Sequence, residues 1–110
     1  MEDHIKKFFN ALSIFEALFP KNMYAHHIQV FLFIASKHSV TYREIEEKFE
    51  TTNASASRTV HTLAENPPRH RKNCLKLVEI YIDPEEGRRY RVRANAAGKA
   101  LYKSLDFIEN

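Results

Sequence analysis

The sequence predicts a mainly α-helical domain with a small β-hairpin, on three observations. Apolar residues recur at helical spacing through the N-terminal third, two short capped segments follow one another over 41–66, and a strand, turn and strand rich in Val, Ile and Tyr come after them. At 110 residues, 44% hydrophobic and 28% charged, the chain is one domain long (1–110) and apolar enough to bury a core.

From Asp3 to Phe19, the residues Ile5, Phe8, Phe9, Leu12, Phe15, Leu18 and Phe19 recur at three and four, an amphipathic helix that Pro20 ends. A second helix over 24–37 is apolar on nearly every side (Ile28, Val30, Phe31, Leu32, Phe33, Ile34, Ala35) and is expected at the centre of the core. Thr41-Tyr42-Arg43-Glu44 is a capping box, in which a hydroxyl oxygen and a carboxylate each satisfy an orphan amide. A short helix therefore begins at Tyr42, with Tyr42, Ile45 and Phe49 inward and Glu44, Glu46, Glu47 and Glu50 toward solvent. Thr52 caps another helix from Asn53 to about Asn66, closed by Pro67-Pro68. Its narrow apolar face is Ala56, Val60, Leu63 and Ala64, and the two short helices make a helix-turn-helix across 41–66.

Leu77 to Ile82 reads as a strand, Asp83-Pro84-Glu85-Glu86-Gly87 as a turn and Arg88 to Arg93 as the return strand, a hairpin within 75–93. On the return strand Tyr90 and Val92 share one face, and Arg89, Arg91 and Arg93 form a ladder on the other. Asn95 caps a last helix over 95–109, with Ala100, Leu101, Leu105 and Ile108 inward. A helix-turn-helix followed directly by a two-stranded hairpin is the order of a winged helix-turn-helix, which is the fold expected.

Composition narrows the function. Two glycines, Gly87 and Gly98, cannot build the glycine-rich loops that cradle nucleotide phosphates. The lone Cys74 makes no intrachain disulfide, which points to a reducing compartment, the cytoplasm. No run approaches ~18 apolar residues, and no cleavage site follows Lys6 and Lys7, so neither membrane span nor signal peptide is expected. There is no CxxC, HxH or HExxH and no nucleophile elbow, so the expectation is no metal, no cofactor and no enzymatic activity. The net charge of +3 is uneven: residues 51–103 hold 11 Lys and Arg against 5 Asp and Glu, and 88–103 hold six basic side chains and no acid. Such a local excess suits a polyanion.

Particular residues resemble the MarR-like regulators. Thr52-Asn53-Ala54-Ser55-Ala56-Ser57-Arg58-Thr59-Val60-His61-Thr62-Leu63 is similar to that family's recognition helix, with Ala56 where a Val is usual. Asp83-Pro84-Glu85-Glu86-Gly87-Arg88-Arg89, followed by Asn95-Ala96-Ala97-Gly98, resembles its wing and the helix after it, and Gln29-Val30-Phe31-Leu32 matches in the second helix. The likeness covers about residues 23–103; residues 66–74 depart from it as an insertion with Arg69, Arg71 and Lys72. It implies a transcriptional regulator that binds double-stranded DNA as a homodimer through its terminal helices, 1–19 and 95–109.

The side chains suit those roles. A recognition helix enters the major groove only if its leading face is slim, as Asn53, Ala54, Ser55 and Ser57 are. Arg58 can reach a guanine edge or a phosphate, while Thr51, Thr52 and Ser57 can donate hydroxyls to phosphate oxygens. His61 and Thr62, two turns in, either touch DNA or are solvated. Arg88 or Arg89 can enter the minor groove with Arg91 behind them, although Glu85 and Glu86 at the tip can pair with these arginines instead. Arg69, Arg71 and Lys72 can neutralise phosphates beside the helix. Phe8, Phe9, Leu12, Phe15 and Phe19 exceed what one helix face should need and are expected to meet Leu101, Leu105 and Ile108 of a second chain. The rival reading is a winged helix serving as a protein interaction module, an adaptor or inhibitor of polymerase or of another regulator.

Overall fold

The structure, a computed structural model, describes residues 1–18, 24–64, 75–87 and 89–109, with side chains as far as Leu105. In chain order the elements are α1 (Asp3–Leu18), α2 (Ala25–Ala35), β1 (Val40–Thr41), α3 (Tyr42–Phe49), α4 (Asn53–Leu63), β2 (Val78–Ile82), β3 (Tyr90–Ala94) and α5 (Ala96–Glu109). The three strands form one antiparallel sheet in the order β1-β3-β2, so the winged-helix plan expected from the sequence is the plan observed.

α2 is the hub. Its Val30, Phe31 and Ile34 are fully buried, and around them pack Ile45 of α3, Ala56, Val60 and Leu63 of α4, and Val78 and Val92 of the sheet. Phe15 of α1 closes one side, its ring meeting Phe31 edge to face at 6.1 Å, an arrangement that suits the ring quadrupoles. Leu101 brings α5 into the same cluster.

Three differences from the sequence expectation have physical causes. Val40–Thr41 is a strand that no alternation announces; it pairs Val40 with Val92 and Thr41 with Arg91, while the Thr41 hydroxyl still caps α3 by accepting the Glu44 amide at 3.1 Å. α4 stops at Leu63 rather than about Asn66. The amides of Leu75 and Leu77 donate to the carbonyls of Thr62 and Leu63, and Ala64 leaves the helix to bridge Val78. α2 is shorter than 24–37, because Tyr24 is its N-cap and Ser36 its C-cap.

The base of the hairpin is fastened to α5 by a close backbone approach. A Cβ on Gly98 would lie 2.1 Å from the Leu77 carbonyl oxygen, so only glycine fits there without backbone movement. Asn95 Oδ1 accepts the Gly98 amide at 2.8 Å and its Nδ2 donates to the Lys76 carbonyl at 2.9 Å, tying the start of α5 to the start of β2.

Candidate nucleic-acid interface

α4 is set by its own cap and its own apolar spacing. Thr52 Oγ1 accepts the Ser55 amide at 3.1 Å, and Asn53 Nδ2 donates to Glu46 Oε2 at 3.2 Å, which holds the first turn against α3. Ala56, Thr59, Val60 and Leu63 face the core; the buried Thr59 was not anticipated, although it stands four residues before Leu63 on the same face. Thr52, Asn53, Ala54 and Arg58 are exposed, and Thr51, Ser55, Ser57, His61 and Thr62 are half-buried. The small Ser57 hydroxyl lies 3.3 Å from His61 Nδ1, and the Thr62 hydroxyl donates to the Arg58 carbonyl at 3.0 Å. Among the described residues the Arg58 guanidinium has no carboxylate partner. The leading end of α4 is thus slim and polar, and Arg58, midway along the helix, is a cation that no carboxylate among the described residues neutralises.

The wing arginines are held differently. Asp83, only 4% exposed, closes the turn as an Asx cap: its Oδ1 accepts the Glu85 amide at 2.9 Å. Its Oδ2 accepts from Arg89 Nη2 and from Arg91 Nε, each at 2.9 Å. Arg91 Nη1 donates in turn to Ser39 Oγ at 3.0 Å, which joins the wing to the segment before β1. The hydrogen bond from Arg91, then the Glu85 amide and Arg89, hold the Asp83 carboxyl well below the ordinary aspartate range. Arg93 pairs with Glu79, and its guanidinium lies 4.3 Å from the centre of the Tyr81 ring.

The arginine ladder read from the sequence therefore exists, but as a paired one. Arg91, expected among the DNA-facing arginines, is half-buried, with Nε and Nη1 both hydrogen-bonded within the chain. The partner of Arg89 and Arg91 is Asp83; of the tip acids, Glu86 alone forms an ion pair with a described arginine, at 3.7 Å from Arg89. The Asp-Pro start of the turn signalled the Asx cap, whereas the pairing with Arg91 depends on strand register and had no local signal. Arg69, Arg71, Lys72 and Arg88 lie outside the described residues.

The terminal helices divide into two sets. Phe8, Phe9 and Leu12 are exposed with Ile5 and Leu18, Phe8 by 66%, so most of the α1 stripe is uncovered. Phe15 and Leu101, expected at a subunit interface, are instead buried within the chain, because α1 turns Phe15, with Ile14 beside it, and α5 turns Leu101 into the α2 core. Leu105 packs partly against that core, and Phe19 and the side chain of Ile108 lie outside the described residues. Beside Phe8 an open groove of about 1030 Å³ runs along Leu32, Phe33, Phe49, Tyr102 and Leu105. Among the described residues no three His, Cys, Asp or Glu side chains converge as metal ligands, and no helix is long and apolar enough to cross a membrane.

No protein-family model matches the chain, and no curated protein sequence matches it either. Solved structures do. A mutant of MepR from a multidrug-resistant S. aureus clinical isolate aligns with a TM-score of 0.69 at 16% identity, over 90% of this chain and 64% of that one. A mutant of MarR from E. coli, complexed with operator DNA, gives 0.64 at 18% identity, over 84% of this chain and 60% of that one. A MarR-like transcriptional regulator from Thermotoga maritima gives 0.64 at 24% identity, over 99% of this chain and 76% of that one. The chain spans less than two thirds of the first two proteins, and what it shares with all three is the winged-helix fold of MarR-like regulators.

Proposed function

We propose that the chain is a transcriptional regulator that binds double-stranded DNA sequence-specifically, with α4 in the major groove and the wing at the minor groove or backbone. The observation that carries this reading is the outward side of α4: exposed Asn53 and Ala54 at its start and exposed Arg58 midway, with Arg58 unmatched by any carboxylate among the described residues. A cation left unneutralised beside small polar side chains is suited to a groove walled by phosphates. The E. coli neighbour of the same fold is complexed with operator DNA, which supports duplex DNA as the ligand. Selection from a random duplex pool should return a preferred site. On that site Arg58→Ala should weaken binding by ~1 to 3 kcal/mol and relax discrimination at one position. No retention of duplex at low salt would overturn the reading.

The working unit is a homodimer. α1 leaves Ile5, Phe8, Phe9 and Leu12 exposed on one side of the helix, beside the groove that Phe8 lines, an apolar face that a second copy would cover. Two-fold pairing also presents two recognition helices to half-sites about one DNA turn apart. Sedimentation equilibrium at micromolar concentration should give twice the mass of the 12.9 kDa chain. Replacing Phe8 and Phe9 by Ser should return the monomer mass with the fold intact.

A further inference from the structure

We propose that Arg91 is a positioning residue whose hold on Asp83 releases Arg89 to a phosphate of bound nucleic acid. The inference rests on the DNA-binding reading above and gives the two wing arginines different roles. One oxygen, Asp83 Oδ2, receives both guanidinium groups at the same 2.9 Å distance. Two cations on one carboxylate leave the triad with one surplus positive charge.

The two arginines are not equivalent. Arg91 stands on the central strand, paired with Thr41 on one side and Tyr81 on the other, and its second nitrogen is fixed by Ser39. Its side chain is 26% exposed against 45% for Arg89. Arg89 stands outside the strand, and its other acidic neighbour is the well-exposed Glu86 at 3.7 Å, where water screens the pair and leaves little hold.

A nearly buried carboxylate resists losing its last partner, because an unpaired charge is then left away from water. With Arg91 in place, Asp83 keeps a partner when Arg89 leaves. A phosphate offers a guanidinium the same two-oxygen geometry as a carboxylate, so Arg89 can exchange one for the other. Without Arg91, Arg89 becomes the only cation on Asp83 among the described residues and stays there.

The test is the salt dependence of binding to the selected duplex, with a thermal melt of each variant. Arg89→Gln should lower the slope of log affinity against log salt by about one. Arg91→Gln should do the same while Asp83 is present, and should leave the slope unchanged when placed on Asp83→Asn, where nothing holds Arg89 back. Arg91→Lys, which keeps a cation on Asp83, should retain the wild-type slope. A slope lowered by Arg91→Gln in both backgrounds would make Arg91 itself a phosphate contact and overturn the proposal, as would no change in either. A second measurement needs no substitution: on titrating duplex into the wild-type protein, the Nε–H resonance of Arg89 should shift while the Arg91 Nε–H keeps its protection from solvent exchange, and loss of that protection or an unmoved Arg89 resonance overturns the proposal. Wild-type protein that retains no duplex overturns the DNA reading itself, a result distinct from duplex binding without the Asp83-dependent pattern.

Discussion

α4 and the wing both carry arginine outward, and they are held by opposite means. α4 is fixed by neighbours in sequence: Thr52 caps it three residues before Ser55, and Ala56, Val60 and Leu63 bury its inner face at three- and four-residue spacing. Its cation, Arg58, is left uncommitted among the described residues. The wing is fixed by groups far along the chain, since Arg91 reaches Ser39 across 52 positions and Gly98 lets α5 close onto Leu77. Its described arginines are all paired. Charge counted along a sequence therefore measures what α4 can offer a polyanion and overstates what the wing can, because antiparallel register decides which wing cations meet a carboxylate.

That contrast can be broken most forcefully at the base of the wing. Gly98→Ala places a methyl where the Leu77 oxygen already stands, and neither the Asn95 cap nor the strand can move without breaking hydrogen bonds. The expected loss is at the upper end of the ~1 to 3 kcal/mol typical of overpacking, read as a lowered urea midpoint with an unchanged m-value. A loss below ~0.5 kcal/mol would show that the wing is not anchored through α5.

At α4 the matching change is small and local. Thr52→Ala removes the acceptor of the Ser55 amide and should cost about 1 kcal/mol, the usual worth of an N-cap. Arg58→Ala should change stability by less than ~0.5 kcal/mol while weakening DNA binding, since an exposed side chain without a described partner holds nothing in place. Urea melts of the two variants side by side separate a residue that builds the helix from one that works through it.

The same contrast explains what the sequence revealed. Caps and apolar spacing act within a few residues, so α3 was legible to its first residue through Thr41 and Glu44, and α4 through Thr52. β1 was not, because two residues show no alternation and its partner Val92 lies far along the chain. The end of α4 was misplaced because the Leu75 and Leu77 amides, not a local stop signal, take its last carbonyls. In α1 one stripe looked uniform, yet packing sends Phe15 to Phe31 and leaves Phe8 and Phe9 outside, a division that only the position of α2 determines. At the candidate interface Arg58 was legible for the same reason as its helix, and the Asp83 pairing was hidden for the same reason as β1.

Acid provides the mildest test, because it reaches the turn of the wing through the Asp83 carboxyl. The Asp83 carboxyl is held below the ordinary aspartate value of 3.8 by Arg91, the Glu85 amide and Arg89. A carboxyl depressed by folding contributes stability that is complete above that ordinary value and is lost as pH falls below it toward the folded value. The Thr52 cap of α4 is a hydroxyl and does not titrate. Lowering the pH from about 5 to about 3 should therefore begin to reduce the exchange protection of the Glu85 amide, because Asp83 takes up a proton once the wing opens, while the Arg89 and Arg91 resonances of the closed wing hold their shifts and the Ser55 amide keeps its protection. Asp83→Asn should remove the pH response of the Glu85 amide and leave the Ser55 amide as it was. Equal loosening of Ser55 and Glu85 over that range would mean that the two regions share one acid-sensitive support, and the separation drawn between them would fail.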